Sequence, residues 1–244
     1  MSSVNYVRGV RLNAMPAANS YLSALPLIGY LDRCGELLFE APVTFFVGEN
    51  GTGKSTLIEA IAVAAGFNAE GGSRDHAFST RKSCSELSEL LTLLRSYSPE
   101  DGFFLRAESF YNTASYLDAT SSMARYGGIS FHEQSHGESF LSLIENRFEG
   151  KGLYILDEPE AALSPRRLMA LIALIDGLVR QGSQFIIATH SPILMACPHS
   201  EILEFSEDGI RKVNYRETEH YRITKSFLDD PERMIHYLTA VEDA

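Results

Sequence analysis

The chain has 244 residues, 45% of them hydrophobic, enough to bury one sizeable core. Its net charge of −11 disfavours a generally basic nucleic-acid surface, and its longest nearly unbroken apolar run, 168–175, is far shorter than the roughly 20 residues that cross a bilayer. Cys34, Cys84 and Cys197 stand far apart with no C-x-x-C spacing, and residues 1–12 hold no apolar leader segment. A cytoplasmic chain without membrane insertion is expected, with reduced thiols serving as packing residues.

In chain order, Val-Thr-Phe-Phe-Val at 43–47, bounded by Pro42 and Gly48, predicts a buried strand, and a helix follows over 56–65. Residues 68–85 are polar and Gly-rich and predict a surface loop; the positive residues between Arg74 and Lys82 are diluted by His and acidic neighbours. A helix is predicted over 86–96, a strand over 102–107, a mixed helical stretch over 110–125 and a helix over 139–148. The next strand covers 153–156. Ser164 then caps a helix with Pro165 at its first position and Gly182 beyond its end. Another buried strand spans 185–188, a hairpin 201–205 with 210–215, and two short helices close the chain. Strands alternating with helices predict an α/β fold with a doubly wound, mostly parallel sheet in a single domain over 1–244, with a helical and loop insertion over 68–150.

Four short segments carry chemistry. Gly48, Glu49, Asn50, Gly51, Thr52, Gly53, Lys54 and Ser55, followed by Thr56, fit the P-loop pattern G-x-x-x-x-G-K-[ST] between a strand and a helix. Glycines let backbone N–H groups curl around phosphates, Lys54 brings a cation to the β and γ oxygens, and Ser55 offers a hydroxyl to Mg2+. Asp157 and Glu158 end a buried strand, where Asp157 can hold the metal and Glu158 can orient or deprotonate an attacking water. His190, in Thr-His-Ser-Pro after the next strand, can reach the same sheet edge and sense a γ-phosphate. The run from Gln134 to Ser139 precedes a helix, so Ser135, the Gly137 backbone and the helix N-terminus can bind an anion.

These pieces, in this order, resemble the ABC-type ATPases, with 48–56 as Walker A, 135–139 as signature, 153–158 as Walker B and His190 as switch. Within that superfamily the runs at 103–110, 132–141 and 156–165 look similar to soluble SMC-like and recombination-like heads, and most of all to short bacterial predicted ATPases. The resemblance implies a P-loop NTPase fold in which the inserted helical segment bears the signature. It also implies ATP and Mg2+ as ligands and a head-to-tail homodimer. In that dimer Ser135, His136, Gly137 and Glu138 of one subunit would cap the γ-phosphate held by the P-loop of the other.

The sequence departs from the family pattern in three places. His136 replaces the first signature glycine, and Ser164 stands where the loop after Walker B usually ends in Asp. The usual glutamine after the 102–107 strand is missing, and Glu108 is the candidate for that Mg2+-side position. No aromatic is assigned to adenine, though Tyr21 and Tyr30 lie upstream of the P-loop. An ATPase that serves a DNA-processing or defence partner is the expected role, an effector protein or nucleic acid being that partner. The energy subunit of a membrane transporter and a slow ATP-switched binding module are the alternatives.

Overall fold

The computed structural model describes residues 5–73, 86–110 and 136–240. β1 (Val7–Leu12) runs between β2 (Glu36–Leu38) and β4 (Leu91–Arg95) in a small antiparallel sheet. The main sheet has the strand order β5 (Asp101–Arg106), β6 (Gly152–Asp157), β7 (Gln184–Ala188), β3 (Val43–Gly48), β8 (Ser200–Ser206) and β9 (Gly209–Val213). Its first five strands are parallel and β9 alone pairs antiparallel, closing the hairpin expected from the sequence. Every residue of β3, β6 and β7 is buried, as strands covered on both faces require.

Helices fill both faces. α1 (Pro26–Cys34) and α2 (Lys54–Ala64) lie on one side, and α2 buries Leu57, Ile58, Ala60, Ile61 and Ala62. It is apolar over most of its surface because it packs between the sheets, sharing a core with Val10, Leu37 and Leu91 of the small one and Phe46, Ile155 and Ile186 of the large one. On the other side, α4 (His136–Arg147) and α5 (Pro165–Arg180) cover Phe45, Tyr154, Leu156 and Ile187. Leu168, Leu171, Ile175 and Leu178 form the buried stripe of α5 at helical spacing, each contributing about 1.5–3 kcal/mol of burial. The Gln184 side chain ties the two sheets together, donating from Nε2 to the Val7 carbonyl at 2.7 Å and accepting from the Val7 N–H at 2.9 Å.

The helix expected over 86–96 is corrected. Helix α3 covers only Leu87–Leu90, and the chain turns extended at Leu91, where β4 pairs with β1. Within the stretch 68–150, the strand expected over 102–107 is β5, which joins the edge of the main sheet. Most of the 110–125 stretch lies outside the described residues. Cys197 is buried, whereas Cys34 is exposed and does not serve as a packing residue; Cys84 lies outside the described residues. Two terminal helices, α6 (Glu219–Asp229) and α7 (Pro231–Thr239), contain no buried residue. Among the described residues no helix is long and apolar enough to cross a membrane.

Candidate functional site

The parallel register gathers the chemistry at one edge of the main sheet. Phe46 and Asp157 both pair with Ala188, so the strand ends leading to Gly48, Glu158 and His190 emerge side by side. Gly48 has φ +130°, and a Cβ there would fall 2.1 Å from the Phe205 carbonyl oxygen on β8, so the entry to the loop admits only glycine. Gly53 takes the left-handed conformation at the N-cap of α2. Lys54 is buried, and its Nζ donates to the carbonyls of Gly48 and Glu49, each at 2.7 Å. Burial pulls its pKa below the usual lysine value, while the carboxylates of Glu158, Asp157, Glu49 and Glu160 oppose that shift. Thr52 Oγ1 donates to the Glu49 carbonyl at 2.8 Å and braces the loop.

Asp157 is buried beside Arg106 of β5, whose Nε lies 3.3 Å from Asp157 Oδ2 and whose Nη1 bonds Glu59 at 2.9 Å. Desolvation raises the Asp157 pKa to about 6; Arg106 counteracts this, the Glu158 charge adds to it, and a hydrogen bond with Ser55 lowers it again. Asp157 Oδ1 is buried with no hydrogen-bond partner among the described residues. An unpartnered carboxylate oxygen next to a serine hydroxyl at a P-loop suits a hard divalent cation such as Mg2+. Glu108 sits in the exposed turn after β5, near enough for its charge to raise the Asp157 pKa.

Glu158 adopts φ +49°, ψ +51°, a left-handed conformation unusual for a residue with a Cβ, and its N–H donates to the Ala188 carbonyl at 3.0 Å. Its Oε1 lies 3.5 Å from His190 Nε2, too long for a strong hydrogen bond. The His190 N–H donates to Glu160 Oε1, and His190 Nδ1 meets Nε2 of His220, on α6, at 3.0 Å. Burial and then Lys54 lower the His190 pKa, so the ring is neutral near pH 7. The structure thus brings Lys54, Ser55, Asp157, Glu158 and His190 to one place. It adds His220, which no motif marks, and Arg106, which falls in the run 103–110 but is brought to this site by the β5–β6 register that pairs it with Asp157.

Of the signature segment, Gly137 and Glu138 are described at the start of α4. Ser135 and the His136 side chain are outside the described residues. Gly137 opens α4 against the chain that follows β6: a Cβ there would fall 3.0 Å from the Ala162 carbonyl oxygen and 2.4 Å from Arg167 Nη1. Glu138 pairs with the same arginine at 2.8 Å. Ser164 stands at the α5 N-cap without a side-chain capping bond. A cavity of about 1200 Å³ opens beside the P-loop, between Glu49, Asn50 and the β8–β9 turn on one side and Arg222 and Ile223 of α6 on the other. Tyr30 packs on the core and Tyr21 is exposed, and neither lines this cavity.

Two family models match, one described as "AAA domain" over residues 28–95 and one as "AAA domain, putative AbiEii toxin, Type IV TA system" over 129–196. A curated relative, the ribose import ATP-binding protein RbsA of Bacillus cereus, is 25% identical over 186 residues. That match covers 66% of this chain and 37% of the relative, so the chain spans little more than a third of its length. Among solved structures, CbiO1 from Clostridium perfringens, part of the ABC transporter complex CbiONQ, matches with a TM-score of 0.51 and 18% identity, over 96% of this chain and 100% of that one. The SMC head domain from Thermotoga maritima matches with a TM-score of 0.46 and 16% identity, over 86% of this chain and 100% of that one. The architecture is that of the ABC-type ATP-binding proteins, a P-loop fold with a mostly parallel sheet flanked by helices.

Proposed function

We propose, for a chain with the ABC-type ATPase fold, that it binds ATP with Mg2+ and hydrolyses it in a site completed by a second copy. The observation that carries this reading is the convergence of Lys54, Asp157, Glu158 and His190 at one sheet edge. Lys54 exchanges the Gly48 and Glu49 carbonyls for the β and γ oxygens, while the loop N–H groups and the α2 N-terminus hold the phosphates. Ser55 and Asp157 would hold Mg2+, with Glu108 as a further candidate, and the ion would supply charge neutralisation at the phosphates. Glu158 orients a water and accepts its proton as the water oxygen attacks the γ-phosphorus and the bond to ADP breaks. His190 donates to a γ-phosphate oxygen. Ser135, His136, Gly137 and Glu138 of the second copy close the site. The order of the Walker A, signature and Walker B segments, which resembles that of the ABC-type ATPases, supports a partner in that role.

The test is Glu158→Gln, which keeps the shape of the side chain without its basicity. ATP affinity is expected to persist while steady-state phosphate release falls roughly 10²- to 10⁴-fold. Substantial release would move the base to His190 or Glu160.

A role beside an effector protein or nucleic acid fits the family description naming a putative toxin of a type IV system. Turnover measured with and without DNA separates this from a slow ATP-switched module. The names of RbsA and CbiO1 favour a second reading, the energy subunit of a transporter, which would require separate membrane subunits. Co-purification with membranes tests it.

A further inference from the structure

His190 and His220 meet through ring nitrogens, Nδ1 to Nε2 at 3.0 Å, with centroids 5.1 Å apart. Burial lowers both pKa values, so both rings are neutral near pH 7 and one must donate to the other. If His190 donated from Nδ1, the lone pair on its Nε2 would face the Glu158 carboxylate, acceptor against acceptor. His220 would then carry its proton on Nδ1, an atom that is buried and has no hydrogen-bond partner among the described residues. If His220 donates from Nε2 instead, His190 keeps its proton on Nε2, facing Glu158, and His220 Nδ1 buries only a lone pair. An orphaned buried N–H is the rarer and costlier defect, so the second arrangement prevails on both counts.

We infer that His220 is a positioning residue for the γ-phosphate step: its Nε2–H holds His190 in the tautomer that keeps a donor on Nε2. The inference rests on the role given to His190 above. His220 occupies the first turn of α6, whose start is fixed by Thr218. The Thr218 hydroxyl donates to the Tyr215 carbonyl at 2.8 Å and accepts from the Tyr221 N–H at 3.3 Å. The chain beyond β9 therefore supplies a group that acts on the switch histidine from outside the P-loop, Walker B and signature segments.

The experiment compares steady-state ATP hydrolysis by the full chain carrying His220→Ala, His220→Gln, His190→Ala and the double alanine change. His220→Ala is expected to lower kcat roughly ten-fold or more with KM for ATP within about two-fold of the parent, because phosphate binding stays with the P-loop. His220→Gln, whose amide N–H sits near the position of Nε2, restores most of the rate. The double variant matches His190→Ala alone, since His220 acts only through His190. ¹⁵N shifts of the His190 ring read the tautomer directly, and thermal melts confirm folding, as no residue of α6 is buried. Parental kcat in His220→Ala with an impaired His190→Ala overturns this inference alone, as does a Gln variant no better than Ala or an additive double variant. Full turnover by His190→Ala overturns the role of His190 and this inference with it.

Discussion

The ammonium of Lys54 is held 2.7 Å from the carbonyl oxygen of Gly48, the residue that opens the loop Lys54 closes. The cation is therefore already solvated by its own loop, and a bound triphosphate must offer more than those carbonyls do. A doubly charged terminal phosphate does so through charge-assisted hydrogen bonds. Lys54→Ala is expected to weaken ATP binding roughly 100-fold or more in an equilibrium titration, because backbone N–H groups alone do not balance the β and γ charges. Unchanged affinity would remove the phosphate-binding role from this loop.

Asp157 has a folded-state pKa raised from 3.8 to about 6, so between those values the folded protein holds a proton that the unfolded chain releases. Its contribution to stability is fully present below 3.8 and is lost as pH rises through 6, a cost of roughly 3 kcal/mol at neutral pH. Asp157→Asn mimics the protonated carboxyl. Urea unfolding without metal is expected to show the variant more stable than the parent by about 3 kcal/mol at pH 7.5 and nearly equal to it at pH 4. Added Mg2+ should stabilise the parent and leave the variant unmoved. A parent more stable than the variant at pH 7.5 in metal-free buffer would refute the desolvation argument.

Closure by a second copy predicts a mass change. With hydrolysis blocked by Glu158→Gln, ATP and Mg2+ are expected to convert monomer to dimer in light scattering, and ADP is not. Adding Ser135→Arg should abolish the dimer while leaving nucleotide occupancy per monomer intact. A double variant that still doubles its mass with ATP would exclude the shared site.

Glu201, buried at the start of β8, accepts from the Glu40 N–H at 2.6 Å, the Ala41 N–H at 3.0 Å and Thr44 Oγ1 at 3.1 Å, and its other oxygen pairs with Lys212 at 2.8 Å. It fastens the approach to β3 and hence to the P-loop. Glu201→Ala leaves those donors without an acceptor and should cost about 3 kcal/mol in urea unfolding. Glu201→Gln preserves an acceptor oxygen and should cost about 1 kcal/mol, because Lys212 is largely exposed and its ion pair contributes little. Equal losses from the two changes would place the stabilisation in charge instead of in the acceptor.

Elements whose signal is local were legible in the sequence: the strand before Gly48, the Ser164–Pro165 helix start and the β8–β9 hairpin. Residues 91–94 were not. Leucines at 87, 90, 91, 93 and 94 satisfy helical and alternating periods together, and the choice falls to pairing with β1, some eighty residues away in sequence. The candidate site could be read as far as strand ends carry it. Arg106 reaches Asp157 only through the register of two parallel strands, and His220 reaches His190 only through the placement of a helix thirty residues later. Neither position carries a spacing rule that a sequence displays.

With Glu158 as the base proposed above, its left-handed backbone would set stability and turnover against each other at a single codon. An L-residue at φ +49° gives up about 1 kcal/mol that glycine, and in part asparagine, would recover. Any selection for heat resistance alone therefore favours losing the carboxylate, and a library sorted on melting temperature would enrich well-folded proteins that still bind nucleotide and no longer turn it over. Persistence of glutamate at this position in a lineage would then itself report selection on hydrolysis, since folding by itself pulls the other way.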